Sequence, residues 1–481
     1  MIHNLQQKAD SRFSFPDCLM LVLAVFTGTF FIYRDFGIRM IVGFGILCLI
    51  LLIDLLRRLK QGRPPKMQAV HLPYLVLAFV ILVNFLRPDS RHDADSTSYV
   101  LSMLVSCSFL ILALPQARES RGTLNVLYWS GMSMAVFVIF FTIFDSLFWN
   151  TLYHILTPIA QEYLQRFVPA GYAITLGGCT YTCYILFFGI MVCLARLCSS
   201  TGKWTRERSL TLLSFCCCLL ALLLVGRRSE LLGALFCSML LLLAVCPPRR
   251  RKTLLLIGIA AGALLLGIVL VFMPQLKQVP FLARYIDTLN HLLQGQDISS
   301  GRLTLYQIAL RAFQAHPLLG IGWDQFHTLV PPDYLLDPVV VIEDVHCIYL
   351  QFLCETGIAS TVLIVAPLMY YYYQICAQFR RLKARREASA ELKLSFELCV
   401  CSFLLQTFLL FVGLYDPNFQ RIVFWCFYGL AVLLMVAALK LENHRPGDPV
   451  SRMLDRFLTG LRPTMQAVWK RLCTPRKEGN S

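Results

Sequence analysis

Twelve apolar runs leave this chain very few ways to fold. They fall at about 16–33, 36–56, 70–86, 97–114, 124–149, 172–195, 210–225, 231–246, 254–273, 357–377, 396–414 and 420–439. Each approaches the roughly 20 residues a helix needs to cross a hydrocarbon core. Of 481 residues, 57% are hydrophobic and 15% charged, against about 45–50% and about 25% in soluble domains. A soluble enzyme, a disordered chain and a fibrous one are all disfavoured. The composition predicts an all-α polytopic membrane protein with about 12 transmembrane helices.

A net charge of +16 would point to nucleic acid in a soluble protein. Here the distribution of the charge explains it better. With a cytoplasmic N-terminus, 32 of the 44 Lys and Arg fall on cytoplasmic segments and 12 on outer ones, the asymmetry of the positive-inside rule. Both termini are therefore expected in the cytoplasm, and no nucleic-acid partner is expected. The 19 cysteines contain no CxxC pair, and most sit in apolar runs, where a thiol behaves as a small hydrophobe. Neither a zinc site nor a disulfide framework is predicted. The polar start, Met1 to Phe15, lacks the pattern of a removable signal peptide.

The runs divide the chain into four parts: spans 1–9 over 1–273, an outer loop over 274–356, spans 10–12 over 357–440, and a basic cytoplasmic tail over 441–481. In the tail, Arg452, Arg456, Arg462, Lys470 and Arg471 alternate with Leu454, Phe457, Leu458 and Leu461. That spacing suits either a helix on the inner leaflet or a solvated basic tail.

The outer loop is the large extramembrane segment. Phe281, Tyr285, Ile286, Leu289 and Leu293 recur at helical spacing, as do the apolar residues of RLTLYQIALRAFQAH, which His316-Pro317 should end. LLGIGWDQF supplies a turn with Gly320 and Gly322. EDVHCIYLQFLCETG reads as a third helix stopping at Gly357. So much periodicity predicts a folded cap over the membrane domain.

Two stretches resemble a known family. The order GR…HPLLGIGWDQF…H…YLQFLCETGI, from Gly301 to Ile358, is similar to the O-antigen ligase and polymerase superfamily of bacterial envelope glycan enzymes. LLLVGRRSELLGALF at 222–236 resembles its Ser-Arg-Gly element between two spans. Two positions depart from the pattern: the family's His-Asn is His346-Cys347 here, and its Ser-Arg-Gly is Arg227-Arg228-Ser229. The resemblance implies a glycosyltransferase C-type fold in the bacterial cytoplasmic (inner) membrane, with an extracytoplasmic active site. It implies a metal-independent transfer, without cofactor, of a glycan from undecaprenyl diphosphate to an acceptor sugar hydroxyl in surface polysaccharide biosynthesis. The partners implied are that lipid-linked donor, a glycan or glycolipid acceptor, and membrane lipids.

Such a transfer needs cations on the diphosphate, a base for the hydroxyl and a groove open to lipid. The runs on either side of Arg227-Arg228-Ser229-Glu230 are about four residues short of a comfortable span. The hairpin is therefore expected at headgroup depth, where the guanidinium of Arg228 can bond phosphate bidentately. Arg227 occupies the family's Ser position and is the less secure ligand. The competing reading is a snorkelling turn with either arginine paired to Glu230. Arg302 matches the family's loop arginine, a second diphosphate ligand, whereas Arg311 should lie nearly opposite on the same helix. His346 matches the family's histidine, implied to be the general base; imidazole titrates near neutral pH. Glu343, Asp344 and Glu355 are near enough in sequence to orient it. Tyr349 would share its face or pack, and Trp323 would stack on a sugar or anchor at the interface. Asp145 and Asp416 are accessory candidates at outer helix ends.

The rival classes are a lipid-linked glycan flippase or other transporter, and a non-catalytic scaffold of polysaccharide export. Transporters usually carry ionisable groups near the bilayer midplane, whereas here the candidate polar groups gather at the outer face.

Overall fold

The computed structural model describes residues 72–93, 121–156, 158–169, 172–175, 179–200, 204–247, 280–296, 301–331, 344–416 and 422–442, with scattered positions besides. The first two apolar runs, Glu343 and nearly all of the basic tail lie outside them. The runs at 97–114 and 254–273 are described only at scattered positions, which are helical apart from a turn at Phe272.

Twelve α-helices are described. They are α1 (Leu72–Phe85), α2 (Arg121–Ile143), α3 (Asp145–Asn150), α4 (Pro158–Phe167), α5 (Cys179–Ser199) and α6 (Arg206–Leu224). Then come α7 (Arg228–Val245), α8 (Pro280–Leu293), α9 (Arg302–Ala315), α10 (Ile348–Arg385), α11 (Ala390–Val412) and α12 (Ile422–Leu441). Short 3₁₀ turns occupy Leu152–Ile155 and Phe326–Leu329, and no strand occurs among the described residues. Six helices, α2, α5, α6, α7, α10 and α11, are long and apolar enough to cross a membrane. The other apolar runs that are described coincide with α1 and α12.

Where the helices differ from the apolar runs, local chemistry gives the reason. The fifth run breaks at Phe144 (φ −114°, ψ 53°), and α3 restarts behind it. The Asp145 carboxylate there accepts the Ser146 N–H at 2.7 Å. The sixth run is not helical at Tyr172–Thr175 and is helical over Cys179–Ser199. At the hairpin, α6 and α7 take up flanking polar residues and reach 19 and 18 residues. At 1.5 Å per residue each is roughly 27–29 Å long, but the residues added, Arg206–Ser209 and Arg228–Glu230, are charged or polar, so the apolar stretches stay short. The Thr205 side chain caps α6 by accepting the Arg208 N–H at 3.3 Å. Ser389 caps α11 by accepting that of Leu392 at 3.1 Å. Each cap satisfies one backbone donor that the helix itself leaves orphaned.

The bundle is built around α5 and α11, whose apolar windows are each 89% buried against 28% for α2 and α6. Phe187 and Phe408 stack between the two at 3.9 Å. Ser402 and Ser395 of α11 donate to the Ala431 and Ala438 carbonyls of α12 at 2.6 and 2.8 Å. Hydroxyls at such crossings satisfy themselves inside an apolar core and tie neighbouring helices. The outward faces of α6 and α7 expose Leu210, Leu213, Leu220, Leu232, Leu235 and Leu242, as surfaces in contact with acyl chains do.

Helix α10 joins the loop to the bundle. Gly357 (φ 72°, ψ 176°) interrupts it, so the third loop helix ends where expected but passes into the tenth run without a connecting loop. A Cβ at Gly357 would lie 2.2 Å from the Leu318 carbonyl, and one at Gly320 (φ 69°) 2.3 Å from the Glu355 backbone. Only glycine permits this contact between the 317–322 turn and the kink.

Candidate functional site

The hairpin between α6 and α7 is held by charge. Arg227 donates from Nε to Glu230 Oε1 at 2.9 Å and from Nη2 to Asp416 Oδ2 at 3.1 Å. Glu230 is fully buried and Asp416 nearly so, so neither carboxylate is solvated in compensation. Ser229 donates to the other Glu230 oxygen at 2.6 Å, and the Tyr415 hydroxyl donates to the Ser229 carbonyl at 2.7 Å. The hairpin is thereby tied to the turn after α11. The pairing of Arg227 with Glu230 is the one the snorkelling-turn reading anticipated.

Arg228 opens α7 and faces the loop instead. Its Nη1 donates to Thr288 Oγ1 on α8, and Tyr285 of α8 donates to the Leu223 carbonyl at 3.1 Å. The amphipathic α8 is thus seated on the hairpin, with Arg228 half-buried between them.

Arg302 is the first residue of α9, behind Gly301 (φ 82°). It is half-buried, and its guanidinium makes no hydrogen bond or ion pair among the described residues. One turn on, the Tyr306 hydroxyl donates to the His346 carbonyl at 3.2 Å and approaches the Leu414 carbonyl at 3.5 Å. Burial raises the Tyr306 phenol above its usual range although Arg302 pulls it down, so it stays a protonated donor at neutral pH. Arg311 is exposed on the other side of α9.

His346 is half-buried and has a left-handed backbone (φ 58°), uncommon outside glycine. It immediately precedes Cys347, the N-cap of α10, whose side chain makes no capping bond. The Ile348 N–H donates to the Gly413 carbonyl at 3.0 Å. Burial pushes the Cys347 thiol up, away from thiolate reactivity.

The remaining candidates have packing surroundings. The Tyr349 hydroxyl donates to the Leu410 carbonyl of α11 at 2.8 Å. Trp323 is 2% exposed, its ring beside Phe352 at 6.2 Å and its backbone N–H donating to Ser90 Oγ at 3.0 Å. Neither a sugar nor an interface reaches a ring so enclosed. Glu355 faces away from His346: its carboxylate accepts the Phe326 N–H and Gln351 Nε2, each at 3.3 Å. Asp145 is exposed. Among the described residues no three His, Cys, Asp or Glu side chains are grouped to hold a metal ion.

The structure therefore gathers the hairpin, α8, the start of α9 and His346 around the turn Gly413–Asp416. Sequence reasoning named Arg228, Arg302 and His346 but missed Thr288, Tyr306 and Tyr415. Periodicity places Tyr306 one turn after Arg302, yet nothing in the sequence says what its hydroxyl meets.

The fold defines a class, a multi-pass helical membrane protein. Residues 213–365 match the family model described as O-Antigen ligase, and no curated protein matches the chain. The match runs from within α6 to the kinked α10, so the stretch carrying Arg228, Arg302 and His346 is the part of the chain that is similar to O-antigen ligases.

Proposed function

We propose that this protein is a metal-independent glycosyltransferase that moves a glycan from undecaprenyl diphosphate to an acceptor sugar hydroxyl at the outer face of the bacterial cytoplasmic membrane. The bundle is read as twelve spans of the glycosyltransferase C type with both termini cytoplasmic and residues 274–356 as the outer cap. One observation carries the reading: His346 and two separated arginines lie on segments packed around a single outer turn, within the stretch that matches the family.

Arg228 and Arg302 hold the diphosphate. Their charge stabilises the negative charge that develops as the leaving group departs. The acceptor hydroxyl attacks the anomeric carbon while the bond from that carbon to the phosphate oxygen breaks. Undecaprenyl diphosphate leaves with the bonding pair, and His346 takes the hydroxyl proton. Energy comes from the donor's own phosphate-linked sugar, so no nucleotide is needed. Arg227, already shared by Glu230 and Asp416, fixes the hairpin rather than binding donor. Trp323 and Tyr349 support the cap and α10 by packing.

The test is to incubate purified protein with a lipid-diphosphate-linked oligosaccharide and extracted cell-surface lipids. A ladder of repeats identifies a polymerase and one shifted acceptor band a ligase. Movement of donor lipid between vesicle leaflets without either product would establish the transporter reading.

A further inference from the structure

We infer that Tyr306 is a positioning residue whose hydroxyl holds His346 in its left-handed backbone conformation and so sets where the imidazole meets the acceptor. The inference rests on His346 being the base, as proposed above.

The geometry is specific. A histidine at φ 58° sits in a sparsely populated region, and such a residue persists only where its surroundings over-determine it. Two bonds flank this one. On its own carbonyl, His346 takes the Tyr306 hydroxyl at 3.2 Å. Two residues on, the Ile348 N–H is held by the Gly413 carbonyl at 3.0 Å. The same hydroxyl lies 3.5 Å from the Leu414 carbonyl, so one donor reaches both the histidine and the turn that bears the hairpin's tether. Of the two peptide units after His346, the first is held at its carbonyl from α9 and the second at its N–H from the Gly413 carbonyl. This clamp lies immediately before Ile348, the first residue of α10. Because Arg302 and Tyr306 are one turn apart on α9, the helix that carries a diphosphate ligand also carries the histidine's restraint. Donor seating and base placement are then mechanically joined.

The experiment is a double-mutant cycle on the full-length protein, following turnover of a radiolabelled lipid-diphosphate-linked oligosaccharide. His346→Ala alone tests the base assignment: wild-type turnover in that variant overturns the parent reading. Tyr306→Phe keeps the ring and removes the hydroxyl. The expectation is about a tenfold fall in kcat, the scale of one hydrogen bond, with little change in KM for the donor. In the His346→Ala background the same substitution should have no further effect, because there is no imidazole left to place. A purely structural tyrosine would slow both backgrounds alike, and that additivity would overturn the inference, as would an unchanged kcat in the single variant. Should Tyr306→Phe fail to accumulate, 3,5-difluorotyrosine at position 306 preserves the shape and ionises at lower pH. Its activity should then fall on the alkaline side relative to wild type, and an unshifted alkaline limb would overturn the inference.

Discussion

Arg227 and Asp416 are 189 residues apart in the chain and bonded at 3.1 Å, and this pair joins the α6–α7 hairpin to the turn after α11. Glu230 shares the same guanidinium, so among the described residues the cluster holds one positive and two negative groups, both carboxylates buried. Removing the cation strands both carboxylates, whereas removing one carboxylate leaves a balanced pair. Arg227→Met should therefore cost about 3–5 kcal/mol, and Asp416→Asn about 1 kcal/mol. Thermal unfolding in detergent measures both. Equal losses would mean the cluster does not act as a charge-balanced unit.

Arg228 has a different task, and its chemistry gives a different prediction. Its planar fork can bond two phosphate oxygens at once, which an ammonium cannot. Arg228→Lys keeps the charge and is expected to lose most activity, with unfolding temperature within a few degrees of wild type. Arg302→Lys should behave in the same way. If lysine restores full turnover at both positions, the arginines contribute field alone.

The membrane domain contains a crossing with no room for a side chain. A Cβ at Gly131 of α2 would lie 2.4 Å from the Gly189 backbone of α5, and one at Gly189 would lie 2.7 Å from Cys218 Sγ of α6. The Gly131 contact is backbone and cannot swing aside. Gly131→Ala should destabilise by about 1–3 kcal/mol, the usual cost of overpacking, with activity per folded molecule preserved. Normal yield and unfolding temperature would show that α2 can shift outward without loss.

Helices α1, α2, α5, α6, α7, α10, α11 and α12 were legible because they coincide with apolar runs, and α8 and α9 because their apolar residues recur at helical spacing. Gly357 was legible as a stop, but not as a kink joining two helices, since composition does not say whether a loop or a second helix lies beyond a break. At the site, residue chemistry pointed to Arg228, Arg302 and His346. It could not distinguish Arg228 from its neighbour by environment: that depends on Asp416 and Thr288, which are brought up by distant segments. The same limit applies to Glu355. Nine residues from His346 along the chain, it looked able to orient the imidazole, yet the helical turn directs it to the 324–326 backbone instead.

Glu355 is the group whose titration should show in stability. Its carboxyl is buried beside Asp324, which lies 3.7 Å from Arg91. Burial first, and the Asp324 charge second, push it up to about 8 from an ordinary 4.5. Below about pH 4.5 folded and unfolded chains both carry this proton, so its contribution is complete. As pH rises to about 8 the unfolded chain has released the proton and the folded one retains it. Stability therefore falls across that window, by an amount on the order of a few kcal/mol, and levels off above it. Glu355→Gln mimics the protonated acid: its Oε1 still accepts from Phe326 and Gln351. The variant should match wild type at acid pH and unfold at a higher temperature at pH above about 8. Unfolding temperatures of the pair in detergent, taken across the window, check this. A difference that stays constant with pH would mean that Glu355 is already ionised in the folded protein.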